Sequence, residues 1–276
     1  MPIEVPLDRV SLTLNPHFRY GAGKTEEEYE RLFMRDAAAD LVSYAVGTIF
    51  GRFSLDKSGF VLMDQGSTLE DFYELVPEPS FAPSETGILP ITAGDWFEDD
   101  LSNQVKRFIQ TAFGEEHYEE NLAWLEEALG VKQLEDYFPN RFWQDHLQRY
   151  KKRPIYWLFS SGRKRDSFNA LIYLHRYTPD TVGEVLNEYV HALIDKQRVA
   201  LESAEQAAED ESLPGRDRTR ARREVRDLRL SLEELEKYER EVLHPLAGQR
   251  IALDLDDGVK VNYPKLYPAL RKIPGL

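Results

Sequence analysis

Cysteine is missing from the 276 residues, which excludes disulfides, thiolate metal sites and cysteine nucleophiles together and fits a reducing cytoplasm. No apolar run approaches the ~20 residues that a membrane-crossing helix needs. The opening residues, Met1-Pro2-Ile3-Glu4-Val5, carry no basic stretch ahead of an apolar one, so no signal peptide is expected. The histidines (His17, His117, His146, His175, His191 and His244) are scattered, with no His-x-x-x-His pair. Neither a metal site nor a hydrolytic triad has a sequence signal. A cytoplasmic protein without a membrane partner is the expectation.

What is present is apolar: 42% of the residues are hydrophobic and 12% aromatic, enough to build a core and against wholesale disorder. The length fits one large domain or two small ones. A net charge of −14 argues against a uniformly basic nucleic-acid binder, because binding to a phosphate backbone depends on Lys and Arg displacing counterions. The distribution changes that reading. Residues 141–176 hold nine Lys/Arg (Arg141, Arg149, Lys151, Lys152, Arg153, Arg163, Lys164, Arg165, Arg176) against Asp145 and Asp166, a net of +7 that leaves −21 for the remainder.

Periodicity predicts a first long helix over 26–50, with Thr25 as N-cap, Glu28 completing a capping box, and Gly51 as its stop. A short strand is expected over 60–63. Pro77, Pro79, Pro83 and Pro90 mark 76–90 as a loop or linker and the best internal boundary. Helices follow over 97–113, 116–129 and 139–151, the first two ended by Gly114 and Gly130. The aromatic, β-branched runs 154–160 and 168–177 read as a β-hairpin with Gly162-Arg163-Lys164-Arg165 at its tip. A long helix begins at Thr178-Pro179, with Thr181 and Glu184 as an alternative capping box. A break at Ser212-Leu213-Pro214-Gly215 leads into a second helix, in which Val225, Leu228, Leu232, Leu235 and Val242 keep heptad-like spacing. Two such helices make an antiparallel, coiled-coil-like hairpin. Alternation around Asp257-Gly258 predicts a tight β-hairpin over 250–263.

The fold class is therefore α+β and predominantly helical: a helical bundle with small antiparallel β-hairpins and one long helical hairpin. Three segments are expected. Residues 1–90 form a helix-containing N-terminal part with its Pro-rich linker, and 91–177 a helical part ending in the basic aromatic β-hairpin. Residues 178–276 supply the helical hairpin and the C-terminal β-hairpin.

Several motifs approach known chemistry and fall short. Gly21-Ala22-Gly23-Lys24-Thr25 ends like a phosphate-binding loop, but the earlier glycine that lets such a loop wrap phosphates is replaced by Phe18. A loop capping the first helix is the better reading, and nucleotide hydrolysis is not expected. Asn15-Pro16-His17-Phe18 resembles the Asn-Pro-Pro-Tyr/Phe signature of amino-methyltransferases, in which an amide and a carbonyl grip a flipped base. Here His17 replaces the second proline and no glycine-rich cofactor turn precedes it, so Asn15-Pro16 reads as turn initiation. In Asp254-Leu255-Asp256-Asp257-Gly258 the glycine arrives one residue early for a calcium loop, and Lys265 stands where the bidentate Glu belongs.

The basic stripe is the strongest functional feature. Arg149, Lys151, Lys152 and Arg153 end a helix, where positive charge also suits the dipole; Arg163, Lys164 and Arg165 crown a hairpin. The clusters bracket Tyr156, Trp157 and Phe159 and stand about 20 Å apart at ~3.3 Å per strand residue, long enough to follow a duplex backbone. The arginine-rich start of the last long helix (Arg216, Arg218, Arg220, Arg222, Arg223) is a second basic segment, which reads more simply as a solvated helix flank.

Several longer runs carry a resemblance. Lys151-Lys152-Arg153-Pro154-Ile155-Tyr156-Trp157-Leu158-Phe159-Ser160-Ser161, Ala170-Leu171-Ile172-Tyr173-Leu174-His175-Arg176-Tyr177 and Leu253-Asp254-Leu255-Asp256-Asp257-Gly258-Val259-Lys260-Val261-Asn262-Tyr263 resemble the C-terminal region of PglX-type adenine-specific DNA methyltransferases of BREX phage-defence systems. Phe50-Gly51-Arg52-Phe53-Ser54-Leu55-Asp56 and Asp95-Trp96-Phe97-Glu98-Asp99-Asp100 agree. The resemblance implies a non-catalytic DNA-recognition and scaffolding part of a site-specific adenine methyltransferase, inactive alone. It implies no cofactor in this chain, S-adenosylmethionine belonging to the full-length enzyme. The implied partners are double-stranded DNA, the N-terminal methyltransferase domain and other BREX components. The DNA-binding residues expected on this reading are Arg149, Lys151, Lys152, Arg153, Ser160, Ser161, Arg163, Lys164 and Arg165. A protein–protein interaction module that binds the catalytic half without touching DNA is the competing expectation.

Overall fold

The computed structural model describes residues 15–92, 94, 96–162 and 165–276. Two short chain reversals precede its first long helix. Asn15 Oδ1 accepts from His17 N at 2.9 Å and starts α1 (Pro16–Tyr20). Thr25 then caps α2 (Glu26–Ile49): its hydroxyl accepts from Glu28 N at 3.2 Å, and Glu28 returns the bond to Thr25 N at 2.8 Å. The Gly-Ala-Gly-Lys-Thr run is thus a helix entrance, with Lys24 Nζ donating to Tyr20 O at 2.7 Å.

The chain continues through α3 (Leu69–Leu75), β1 (Ile88–Ile91), α4 (Leu101–Phe113), α5 (Tyr118–Leu129) and α6 (Trp143–Arg149), the last entered through a π turn at Phe138–Phe142. Strands β2 (Tyr156–Ser160) and β3 (Asn169–Tyr173) follow, then α7 (Thr181–Glu184) and a π turn at Val185–Val190. Next come α8 (His191–Glu209), α9 (Gly215–Tyr238), α10 (His244–Ala247) and α11 (Val259–Asn262). The architecture is α+β and predominantly helical.

The sheet has the order β1-β3-β2 with both pairs antiparallel; Tyr156 stands opposite Tyr173, and Ile88 opposite Ile172. Every residue of the three strands is buried, so both faces must be covered. On one face Phe50, at the end of α2, stacks on Tyr156 at 4.9 Å, and His146 of α6 stacks on the same ring at 4.9 Å. On the other, Trp157 meets Tyr263 edge-on at 4.8 Å. The outer edge of β2 is closed by the C-terminal segment: Ser160 N donates to Ala269 O at 3.0 Å, and Arg271 N to Leu158 O at 2.8 Å. Pairing this edge removes the open ladder that would otherwise invite another strand. Residues 215–238 pack along α8 as the expected helical hairpin.

Several expectations are corrected. Residues 60–63 form no strand: Val61 N and Leu62 N bond the carbonyls of Arg52 and Gly51, a loop-to-loop clasp too short for a ladder. The Pro-rich stretch ends in β1, so residues 88–90 belong to the sheet. Helix α4 starts at Leu101 because the Asp100 carboxylate caps it, accepting from Ser102 N at 2.9 Å. The helix after Pro179 starts at Thr181, and the capping box there does not form, since the Thr181 hydroxyl accepts from Thr178 N at 3.0 Å. The C-terminal β-hairpin is absent. The Gln65 side-chain amide bonds Leu253 O and Leu255 N, each at 2.8 Å, occupying backbone groups that a partner strand would need. Asp254 Oδ1 accepts from Asp256 N at 3.0 Å, a local turn that competes with strand pairing. Gly258, at φ 77° and ψ 172°, lies far from the ψ near 0° of a tight hairpin turn.

Candidate nucleic-acid interface

The turn between α6 and β2 is built by two conflicting demands. Trp143 and His146 bury one face of α6, and Tyr156 must be buried two residues after Pro154. The chain reverses within Tyr150–Arg153, and it does so with Lys151 at φ 49° and Lys152 at φ 62°. Left-handed backbone costs a non-glycine residue roughly 1 kcal/mol. Bonds from Lys152 N to Leu147 O at 2.7 Å and from Arg153 N to Tyr150 O at 2.8 Å hold it. The side chains of Lys151, Lys152 and Arg153 are consequently exposed side by side, and none forms an ion pair among the described residues.

An aromatic stack adjoins this turn. Arg52 Nη1 donates to the Tyr150 hydroxyl at 2.6 Å and lies over the rings of Phe53 at 5.2 Å and Phe60 at 4.9 Å. Phe53 stacks on Tyr44 at 5.2 Å and on Phe60 at 5.5 Å, and Phe60 is 47% exposed. Sequence reasoning missed Arg52 and Phe60 as neighbours of the basic turn. Their local signal, an arginine flanked by aromatics at Phe50-Gly51-Arg52-Phe53, says nothing of α6, about a hundred residues away.

The other residues expected to meet DNA are placed differently. Arg149 pairs with Asp40 of α2. Ser160 is buried and donates to Asp166 Oδ1 at 3.2 Å; Ser161 donates to Glu234 Oε1 of α9 at 2.7 Å. Both hydroxyls therefore serve the fold. Arg165 is exposed, with Nη1 3.6 Å from Asp227 Oδ1, while Arg163 and Lys164 lie outside the described residues. Tyr156, Trp157 and Phe159 are 1%, 0% and 0% exposed, so the strands between the two clusters offer no accessible ring, and the stripe reduces to its ends. Of the remaining cations in the segment, Arg141 caps α5 through bonds to Leu129 O and Gly130 O, both 2.9 Å. Arg176 is held on Ser84 O at 2.7 Å and Glu85 O at 2.6 Å, and burial pulls its pKa below the ordinary value.

Near Gly258, Lys265 Nζ sits 2.8 Å from Asn262 Oδ1 and 3.8 Å from Asp257 Oδ2, a cation where a calcium loop needs a carboxylate. Among the described residues no group of three or more His, Cys, Asp or Glu side chains could hold a metal ion. No helix among them is long and apolar enough to cross a membrane.

A chain of net charge −14 thus exposes a short basic turn that forms no ion pair among the described residues. Comparison with known proteins gives the particular relationship. In an alignment of 282 positions that covers 97% of its length, the chain is 36% identical to the adenine-specific methyltransferase BrxX of Escherichia coli O9:H4 (strain HS). It is 35% identical over 240 residues, 84% of its length, to the adenine-specific methyltransferase PglX of Lacticaseibacillus casei (strain Zhang). No family model matches. Over the stretch it covers, the chain is similar to the BrxX and PglX adenine-specific methyltransferases; it spans 23% and 19% of their lengths.

Proposed function

We propose that this chain is the non-catalytic C-terminal DNA-recognition and scaffolding part of a site-specific adenine methyltransferase of a BREX-type phage-defence system. The supporting observation is the Lys151-Lys152-Arg153 turn. Three adjacent cations, two of them in left-handed backbone, have no acid partner among the described residues of a chain of net charge −14. Such a cluster suits phosphates, which it would neutralise with release of counterions. The neighbouring Arg52 and the exposed Phe60 add a guanidinium and a ring face, the chemistry that stacks on a base. In this reading the N-terminal methyltransferase domain of the full-length enzyme binds S-adenosylmethionine and performs the transfer, and this chain positions the duplex.

The test is a salt titration of the purified chain with a labelled duplex. Lys151→Gln/Lys152→Gln/Arg153→Gln is expected to lower the magnitude of the slope of log K against log[salt] by about 2 to 3, at ~0.9 for each phosphate no longer neutralised. Duplex binding that this variant leaves unchanged would reject the turn's role. A wild-type chain that ignores the duplex at low salt but co-purifies with the catalytic domain would establish the interaction-module reading instead.

A further inference from the structure

Helix α9 has three faces with different duties. Ala221, Leu228, Leu232 and Leu235 are buried. Arg218, Arg222 and Arg229 line a groove of about 800 Å³ against Glu202, Glu205 and Glu209 of α8. The third face carries Asp227, Glu234 and Tyr238, which fasten α9 to the rest of the molecule. Asp227 faces Arg165 at 3.6 Å, Glu234 Oε1 accepts from Ser161 Oγ at 2.7 Å and from Ser167 N at 3.0 Å, and the Tyr238 hydroxyl donates to Ala269 O at 2.7 Å.

Arg216, Arg220 and Arg223 lie on this third face. At 3.6 residues per turn they fall within about 40° of Asp227, and at 1.5 Å per residue they continue the line about 16, 10 and 6 Å beyond it. All three are exposed, and none has a carboxylate partner among the described residues. The structure thus divides the arginine-rich segment in two. One set faces the acids of α8, as a solvated helix flank would; the other extends the face to which the hairpin tip is docked.

We propose that Arg216, Arg220 and Arg223, together with Arg165 at the hairpin tip, form a second phosphate-binding ledge for duplex DNA, separate from the Lys151-Lys152-Arg153 turn. The inference rests on the DNA-contact reading above. Successive Cα positions on this face stand about 6 and 4.5 Å apart along the axis, more than the ~3.4 Å by which a strand advances per nucleotide, so each arginine has room to meet its own phosphate. Arginine also binds phosphate through two parallel bonds, which a flexible point charge does not. Two separated anchors fix the direction of a duplex as well as its attachment.

The test uses the full chain, a labelled duplex and three variants of unchanged melting temperature. Arg216→Gln/Arg220→Gln/Arg223→Gln is expected to lower the salt slope by about 2 to 3. Arg218→Gln/Arg222→Gln, which removes charge from the groove face, leaves the slope as it was. Equal losses in these two variants, or none in the first, would overturn the ledge. A loss confined to the Lys151→Gln/Lys152→Gln/Arg153→Gln variant would overturn it while sustaining the broader DNA-contact reading. A wild-type chain that binds polyglutamate but no duplex would overturn both and assign the arginine face to an acidic protein.

Discussion

The Arg271 guanidinium grips both carboxylate oxygens of Asp166, and Asp166 itself holds a left-handed backbone at φ 59° in the loop of the basic hairpin. The same guanidinium reaches Asn169 Oδ1 at 2.9 Å and the Pro139 carbonyl. The C-terminal segment thereby holds Asp166 of the hairpin loop, 105 residues earlier. The pair is largely enclosed, with side-chain exposures of 11% and 23%. Removing one partner leaves the other charge uncompensated, a loss of about 3 kcal/mol for buried pairs. Arg271→Met should therefore lower the urea midpoint by a corresponding amount. Asp166→Asn/Arg271→Met, with neither charge left, should recover part of it. A midpoint that Arg271→Met does not shift would show the clamp to be dispensable.

His146 makes stability depend on pH. It is buried among Phe142, Trp143, Tyr150 and Tyr156, and its Nε2 accepts from Tyr156 N at 3.3 Å. Burial first, and then the Arg149 charge, push its pKa down from 6.5 to about 3. The unfolded chain takes up a proton near pH 6.5 while the folded one refuses it until about pH 3. Stability is lost as pH falls through that interval, by about 1 kcal/mol between pH 6 and 5. Carboxylates also titrate, so the check is the difference from His146→Gln. The wild type should lose this extra amount, and parallel curves would contradict it.

Arg176 should govern proteolysis of the proline-rich stretch. Its guanidinium ties the carbonyls of Ser84 and Glu85 to the end of β3 and lies 3.3 Å from where a Cβ on Gly87 would sit, at φ 67°. Charged hydrogen bonds of this kind contribute about 1.5–3 kcal/mol. Arg176→Met is expected to speed cleavage within residues 76–90 by tenfold or more, on the order of the ~1.4 kcal/mol that a factor of ten represents. Limited proteolysis followed by mass mapping reads this directly.

Thr25 separates a helix cap from a phosphate loop. Thr25→Ala should cost about 1 kcal/mol, the usual value of an N-cap, seen as a lower melting temperature. Nucleotide with magnesium should leave the melting temperature of the wild type unmoved. A nucleotide-dependent rise that Thr25→Ala abolishes would restore the phosphate-loop reading.

The long helices were legible because their signals are local. The Thr25–Glu28 box, the glycine stops at Gly114 and Gly130, and the apolar seams of α8 and α9 depend on residues a few positions apart. So did the β2–β3 hairpin, whose aromatic runs flank a polar loop. The failures have a common cause. Residues 250–263 alternate like a hairpin, but Gln65, nearly 190 positions earlier, takes the backbone groups involved. Residues 60–63 look like a strand, yet among the described residues no ladder partner reaches them beyond the clasp with Gly51 and Arg52. In the site, sequence counted nine cations in one segment, and it could not sort them by partner.

Composition and local pattern alone determined the class, the helices, the basic segment and the resemblance, since each is carried by residues near one another along the chain. Which cations stay free was decided by tertiary structure. Asp40 neutralises Arg149, the Ser84 and Glu85 carbonyls hold Arg176, and the Leu129 and Gly130 carbonyls hold Arg141. Lys151, Lys152 and Arg153 form no ion pair among the described residues, because the reversal between a buried helix and a buried strand leaves their side chains exposed.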